Sequence, residues 1–239
     1  MRIVVNHLTR MGAGYICVAG VDMQTGNHVR PVLPDGPLPV DFLVRYRGPF
    51  DMARIVELGS ARPCPVKPHV EDCVIVPSRL KSLGTLPRAE FWELLQRLSK
   101  ETLRALFGPD LVCAGGQAWA VHPGRGEVSI GCFRPKTELR LHYQESGPSG
   151  KPAIRINFRD AEIAVHAGVT DIRFYSDDHL TPRRDLVERA ARRLLQQPGG
   201  VILGVGLTRA FASTPQGDPL CWLQVTNLHF EKNPAWELG

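Results

Sequence analysis

The sequence lacks an apolar run long enough to cross a membrane as a helix, since its hydrophobic stretches fall well short of the roughly 20 residues that a span needs. It begins with a strand-like segment, Arg2-Ile3-Val4-Val5, and not with the charged and apolar regions of a secretory signal. The six cysteines are scattered, and none forms a C-x-x-C pair. We therefore expect a soluble cytoplasmic protein with reduced cysteines and no membrane contact.

Recognised catalytic and nucleotide-binding motifs are also missing. The chain has no P-loop, no G-x-G-x-x-G at a strand-to-helix turn, no G-x-S-x-G and no H-E-x-x-H. We therefore expect a non-catalytic protein without a cofactor. The alternative is a metal-independent phosphodiester-processing enzyme, in which His7 and Arg10 of one loop would supply acid–base and charge-stabilising groups.

Metal-ligand spacing occurs at one place, where Cys64, His69 and Cys73 follow one another closely. Cys64 and His69 lie in a stretch with Pro63, Pro65 and Pro68, and no fourth ligand is evident. We expect no metal ion there, and we read the cysteines as packed core residues.

Aromatic residues are scarce, at 7% of the chain, whereas arginine is abundant. The formal net charge is +5, and 29 residues are basic, of which all but six are arginine. Arginine suits bidentate contacts to phosphate, but a host with arginine-rich composition would give the same excess. The charge alone leaves both explanations open.

Short β-strands separated by proline and glycine dominate the pattern, which predicts a mainly β protein with two or three helices. Residues 1–80 are expected to form a small barrel, residues 81–110 a connecting helix that begins at Pro87 and ends before Gly108, and residues 111–239 a second β-rich domain with an inserted helix at 181–197. The predicted strands are 3–5, 15–21, 28–33, 42–46, 53–58, 73–76, 118–122, 128–133, 139–143, 154–158, 169–175, 201–207 and 220–228.

The inserted helix, with Thr181 as N-cap and Pro182 in the first turn, is rich in arginine. The spacing predicts i,i+4 ion pairs from Asp185 to Arg189 and from Glu188 to Arg192. Because these pairs reduce the field that a phosphate would feel, we interpret this side of the helix as solvated surface.

Arg30-Pro31 places a cation in a predicted strand whose hairpin partner is 15–21, with a turn at 24–27. Proline cannot donate to a strand ladder, so this strand is expected at a sheet edge or bulge with Arg30 facing a groove. The alternative is that Arg30 ties two modules together through a carboxylate such as Asp22. Arg134-Pro135 repeats the dipeptide, and Leu-Thr-Arg occurs at both 8–10 and 207–209, which suggests duplication of a β module.

Clean alternation in the second β-rich region predicts a basic sheet face. A period of two puts Arg140, His142, Arg155 and Arg159 on one side of a hairpin. In the predicted strand 169–175, Arg173 and Tyr175 are expected to extend this face.

Three groups of segments resemble a family of prokaryotic proteins with a dual OB-type domain. They are Cys17-Val18-Ala19-Gly20 followed by His28-Val29-Arg30-Pro31-Val32, then Ile154-Arg155-Ile156-Asn157-Phe158 followed by Val169-Thr170-Asp171, and finally Gly206-Leu207-Thr208-Arg209 followed by Trp222-Leu223-Gln224-Val225-Thr226-Asn227-Leu228-His229. The resemblance implies two OB-like small β-barrels packed together and a presumed nucleic-acid-binding role. It implies no catalytic residues.

An OB-type barrel binds single strands through a cationic groove and aromatic rings on which bases stack. We therefore expect single-stranded RNA or DNA as the partner. The expected nucleic-acid-binding residues are Arg10, Arg30, Arg134, Lys136, Arg140, Arg155, Arg159, Arg173 and Arg209, and the expected stacking residues are Tyr15, Tyr175 and Trp222.

A protein-interaction subunit or scaffold of a larger prokaryotic complex is the other function class that the sequence allows. A tryptophan near the C-terminus, Trp236, would suit docking to a partner protein, because aromatic anchors dominate many interfaces. The opposing possibility is that Trp236 folds back onto its own domain.

Overall fold

The computed structural model describes residues 1–12, 14–147, 150–196 and 199–236. Strands account for 42% of the chain and helices for 18%, which confirms the mainly β class. Two sheets and three α-helices are present in the described part. Within those residues, none of the helices combines the length and the apolar character that crossing a bilayer would require.

The first sheet occupies the N-terminal third of the chain and has the order β6-β7-β3-β2-β1-β5-β8, with β4 paired to β2. Its strands are β1 (Arg2–Arg10), β2 (Tyr15–Asp22), β3 (His28–Val32), β4 (Leu38–Pro39), β5 (Arg54–Glu57), β6 (Arg62–Pro63), β7 (Asp72–Val74) and β8 (Lys81–Thr85). The turn between β2 and β3 forms where predicted, because Gly26 takes a positive φ of 74° and its N–H donates to the Asp22 carbonyl.

The expectation that Arg30-Pro31 lies on an edge strand is wrong. Strand β3 pairs with β2 through Val29 and with β7 from Arg30 onward. The Arg30 N–H donates to the Glu71 carbonyl on the β7 side. Because successive backbone nitrogens point to opposite sides of a strand, the Pro31 nitrogen faces the β2 side, where pairing has already ended.

Two helices connect the sheets where one was predicted. Helix α1 (Arg88–Leu98) is followed by β9 (Ser99–Lys100), and then by α2 (Leu103–Phe107). The break occurs at β9, which pairs in parallel with a later strand of the second sheet. Thr102 then caps α2, since its side chain accepts a hydrogen bond from the Ala105 N–H.

The second sheet has the order β13-β14-β15-β17-β16-β12-β9, with β11 paired to β17 and β10 paired to β11. Its remaining strands are β10 (Val112–Cys113), β11 (Trp119–Val121), β12 (Ile130–Phe133), β13 (Arg140–Gln144), β14 (Ala153–Arg159), β15 (Ala164–Val169), β16 (Val201–Leu207) and β17 (Cys221–Phe230). Helix α3 (Arg184–Gln196) packs Leu186, Val187, Ala190 and Leu194 against the core of this sheet. The predicted end of this helix at Pro198 lies outside the described residues.

Two predicted strands are wrong. Residues 42–46 form parts of two 3₁₀ turns, Val40–Phe42 and Val44–Tyr46. Residues 169–175 contain the end of β15 and a 3₁₀ turn, Ile172–Phe174, because the Asp171 side chain caps the Arg173 N–H.

The predicted ion pairs of α3 also differ from those observed. Glu188 pairs with Arg184 at 2.8 Å, and Asp185 pairs with Arg183 at 2.9 Å. The carboxylates therefore lie beside arginines N-terminal to them, and Arg189 and Arg192 are exposed.

The two sheets share part of their core. Ile3, Val18 and Phe91 belong to a cluster built mainly from the first sheet and α1. Cys132 and Ile202 of the second sheet are buried in that same cluster. Buried hydrophobic contacts therefore join the two sheets.

Candidate nucleic-acid interface

The outward side of β13, β14 and β15 carries a band of polar and basic side chains. In the antiparallel register, His142 lies opposite Arg155, Arg140 lies opposite Asn157, and Asn157 lies opposite His166. The alternate residues of these strands, such as Leu141, Ile156 and Val165, are buried in the core. The alternation that the sequence showed in 139–143 and 154–158 therefore produces one basic face, as the spacing predicted.

Two histidines sit at the centre of this face. The rings of His142 and His166 have their centroids 6.1 Å apart, and the His166 Nδ1 shares a hydrogen bond with the Asn157 Oδ1. Partial burial, followed by the charges of Arg155 and His142, lowers the pKa of His166 below its usual value. This imidazole is therefore neutral at neutral pH and presents a flat ring rather than a charge.

Arg10 extends the face toward the first sheet. It ends β1, and its guanidinium lies 4.3 Å from the centre of the Tyr175 ring. The Tyr175 hydroxyl donates to the Val169 carbonyl at 2.8 Å. Burial raises the pKa of Tyr175, and the positive charges of Arg10 and Arg155 act in the opposite direction. The charges of Arg10 and Arg155 thus act on the same ring, although the two residues belong to different sheets.

In the part of the chain that the structure describes, Arg10, Arg155 and Arg159 are not neutralised by carboxylates. Among the described residues, none of the three forms an ion pair with an aspartate or glutamate. The Nε atoms of Arg10 and Arg155 are buried and have no hydrogen-bond partner there. We call Arg10, Arg155, Arg159, His142 and His166 the arginine face.

Comparison with known proteins identifies the family of this chain. The model of the dual OB-containing domain matches residues 1–228, which is nearly the whole chain. The chain belongs to the dual OB-containing domain family. Neither the curated proteins nor the solved structures gave a match.

The other surface cations predicted for the dual OB domain are separated from the arginine face or paired. Lys136 pairs with Glu101 at 2.6 Å, and Arg140 lies 3.4 Å from Glu138 at the margin of the face. Arg134 is exposed just after β12, where its backbone N–H donates to the Lys100 carbonyl. Arg30 and Arg209 line a cavity of their own.

Arg30 is buried, which disagrees with the expectation that it faces a groove. Its Nε donates to the Asp72 carboxylate, and Arg209 of the second half of the chain donates to the other oxygen of Asp72 at 2.7 Å. A cavity of about 520 Å³ adjoins this arrangement and is otherwise lined mainly by apolar side chains. Asp72, and not Asp22, is therefore the carboxylate that pairs with Arg30, and its second ion pair, with Arg209, joins the two halves of the chain.

Arg173 is also withdrawn from the surface. Its guanidinium donates twice to the Asp171 carboxylate and also to the carbonyls of Leu228 and Ala235. A guanidinium whose N–H groups donate to all these acceptors inside the protein has a structural role. We leave Arg30 and Arg173 out of the surface proposed below.

The expected stacking residues are in three different environments. Tyr15 is 44% exposed at the start of β2, whereas Tyr175 is 5% exposed and covered by Arg10. Trp222 is partly buried and lies beside Phe211, with 6.2 Å between ring centroids. Tyr175 thus orients Arg10 and does not offer a free ring to a base.

Trp236 folds back onto the second half of the domain. Its ring lies 5.0 Å from Phe174 and 6.2 Å from Phe230, and its Nε1 donates to the Leu228 carbonyl at 2.7 Å. The Arg173 guanidinium covers the ring at 4.3 Å. A tryptophan with these contacts is an internal anchor, which weakens the scaffold alternative.

Sequence reasoning missed His166, because the segment that contains it was not predicted as a strand. The alternation of Val165, Ala167 and Val169 with His166 and Gly168 was a usable signal for β15. His7 and Arg10, which we expected in one loop, both lie within β1, and His7 is buried.

Proposed function

We propose that the dual OB domain binds single-stranded RNA or DNA, without catalysis, through the arginine face. The observation that carries this proposal is that Arg155 and Arg159 share the outward side of β14, and that neither they nor Arg10 pairs with a carboxylate in the described residues. The phosphates of a nucleic acid would therefore meet the positive charge of these arginines, which the described carboxylates do not pair with. Family membership supports an OB-type module and is compatible with this role.

The geometry also suits a flexible strand. Arg155 and Arg159 are four residues apart on β14, which corresponds to about 13 Å along a strand. His142 on β13 and His166 on β15 are exposed on the two strands that flank β14, and histidine rings are among the side chains on which unpaired bases stack. We assign phosphate contacts to the arginines and base contacts to the imidazoles.

Fluorescence anisotropy of labelled single-stranded oligonucleotides, at low and at moderate salt, tests the proposal. The variant Arg155→Ala/Arg159→Ala removes two contacts, so the slope of log K against log salt should fall by about 1.4, since each phosphate contact on a single strand contributes about 0.7. Affinity at low salt should fall at least tenfold, because two charge-assisted contacts of about 1 kcal/mol or more are lost.

A matched control is available on α3. The variant Arg189→Ala/Arg192→Ala removes the same charge from two exposed arginines on the side of the second sheet opposite the arginine face. It should bind like the wild type. Equal losses in both variants would show a general charge effect, and wild-type binding that is absent or insensitive to salt would contradict the proposal.

A further inference from the structure

Three potential metal ligands meet inside the protein where the two sheets touch. They are His7 of β1, His28 of β3 and Cys132 of β12, and one donor atom from each lies within 4.8 Å of the others. His7 is 2% exposed and Cys132 is fully buried. The cluster differs from the closely spaced set Cys64, His69 and Cys73, because its members are distant in sequence and the fold brings them together.

His7 has the orientation of a ligand. Its Nδ1 is hydrogen-bonded to the Thr226 hydroxyl at 2.8 Å, while its Nε2 is buried and has no partner among the described residues. Metal-binding histidines characteristically use one ring nitrogen for the ion and fix the other with a polar group. An unpartnered buried nitrogen is costly, and a metal ion bound at this Nε2 would relieve that cost.

Asn6 lies between the other two donors. Its Nδ2 is 3.0 Å from the His28 Nε2 and 3.5 Å from the Cys132 Sγ, and its Oδ1 is buried without a partner in the described residues. The amide N–H groups thus point toward two lone-pair donors, in the place where a cation would be attractive. Rotation of the amide by half a turn brings Oδ1 to the same place and supplies a fourth donor.

The local charge agrees with this arrangement. Burial lowers the pKa of His7 well below its usual value and that of His28 to about 4, so both imidazoles are neutral ligands. Burial raises the pKa of the Cys132 thiol to about 12, so thiolate formation there requires a cation. Arg30, the guanidinium whose charge acts on His7, is paired with Asp72.

We infer that His7, His28, Cys132 and Asn6 form a binding site for one Zn²⁺ ion that joins the two sheets. Two nitrogens and one sulfur form a donor set that binds a borderline-soft ion such as Zn²⁺ in preference to calcium or magnesium. In a tetrahedral site with bonds of about 2.0 to 2.3 Å, the ligands lie about 3.3 to 3.8 Å apart, so the widest pair closes by at most about 1 to 1.5 Å on loading. With four protein donors, the site has no open position, and its role is structural.

The test uses the full-length, untagged protein, stripped with a chelator and titrated with Co²⁺ or Zn²⁺. One equivalent of Co²⁺ should produce the thiolate-to-cobalt charge-transfer band and the visible bands of tetrahedral coordination, and Zn²⁺ should abolish both. One equivalent of Zn²⁺ should remain after dialysis, as measured by mass spectrometry of the metal content, and should raise the melting temperature.

The variant Cys132→Ser should lose the charge-transfer band, whereas Cys73→Ser should keep it. Cys73 is a suitable control, because it is also buried, its pKa is also raised to about 12, and it belongs to the closely spaced set in which no metal is expected. His28→Gln, at a partly exposed position, should reduce Zn²⁺ retention even if Cys132→Ser folds poorly. Absence of the band in the wild type, or its persistence in Cys132→Ser, would overturn the inference.

Discussion

Asp72 shows how one buried carboxylate determines the role of two arginines. It is 6% exposed and accepts from Arg30 of the first sheet and from Arg209 beyond β16 of the second. A buried charge pair stabilises little relative to apolar packing, but removal of one partner leaves an uncompensated charge. The sequence suggested that Arg30 lies in a groove, but in the structure its buried charge depends on Asp72 for neutralisation.

The substitution Asp72→Asn should lower the free energy of unfolding by about 3 to 5 kcal/mol, because it leaves the buried Arg30 guanidinium without its counter-charge. Arg209→Ala should cost about 1 kcal/mol or less, since its side chain is half exposed and Arg30 continues to neutralise Asp72. Urea denaturation at neutral pH measures both values. Similar costs for the two substitutions would contradict this account, and neither should change the salt slope of nucleic-acid binding.

Individual elements were predictable where the hydrophobic period was undisturbed. Strands β13, β14 and β16 follow from their apolar patterns, as does the buried side of α3. The pattern failed where polar side chains or distant strands determined the backbone. Asp171 converts the predicted strand 169–175 into a turn by bonding the Arg173 N–H, and β9 interrupts the predicted long helix by pairing with β12.

Strand β16 illustrates a constraint that its apolar pattern does not reveal. A Cβ added at Gly204 would lie 2.9 Å from the Thr226 hydroxyl and 3.1 Å from the His7 Nδ1, the two atoms of one buried hydrogen bond. The strand also changes register between Gly204 and Val205. Glycine is therefore required for the close approach of β16 to β1 and β17.

Gly204→Ala should lower the free energy of unfolding by about 1 to 3 kcal/mol, the usual cost of overpacking a filled core. Gly12→Ala is the control, because a Cβ there meets no atom within 4 Å, and it should leave the unfolding midpoint within the experimental error. Thermal melts followed by circular dichroism provide the comparison. An unchanged midpoint in Gly204→Ala would mean that the His7 and Thr226 side chains can move away from the added Cβ at little energetic cost, which would contradict this account.

The relation between the two sheets could not be deduced from the sequence, because its polar contacts join residues far apart in the chain, several of them more than 200 positions apart. The Asn227 amide accepts from the Leu8 N–H at 2.9 Å and donates to the Leu8 carbonyl at 3.1 Å, so that one side chain completes the hydrogen bonding of β1. The His229 Nε2 bonds the Asn6 carbonyl in the same way. The arginine face was predictable only in part. Arg155 and Arg159 follow the local alternation of one strand, whereas the position of Arg10 beside them depends on the contact between the two sheets.

These contacts predict that the domain unfolds as one unit. Asn227→Leu leaves the N–H and carbonyl of Leu8 buried without partners, which should cost about 2 to 4 kcal/mol at about 1 to 2 kcal/mol for each group. Unfolding monitored by circular dichroism and by tryptophan fluorescence, with Trp92 in the core of the first sheet and Trp236 packed on the second, should remain coincident and shift together in the variant. Gln24→Leu, at an exposed position on the β2–β3 turn, should leave both transitions in place. If the two probes separate in Asn227→Leu, the sheets fold independently, and the buried hydrogen bonds between them would contribute to docking rather than to folding.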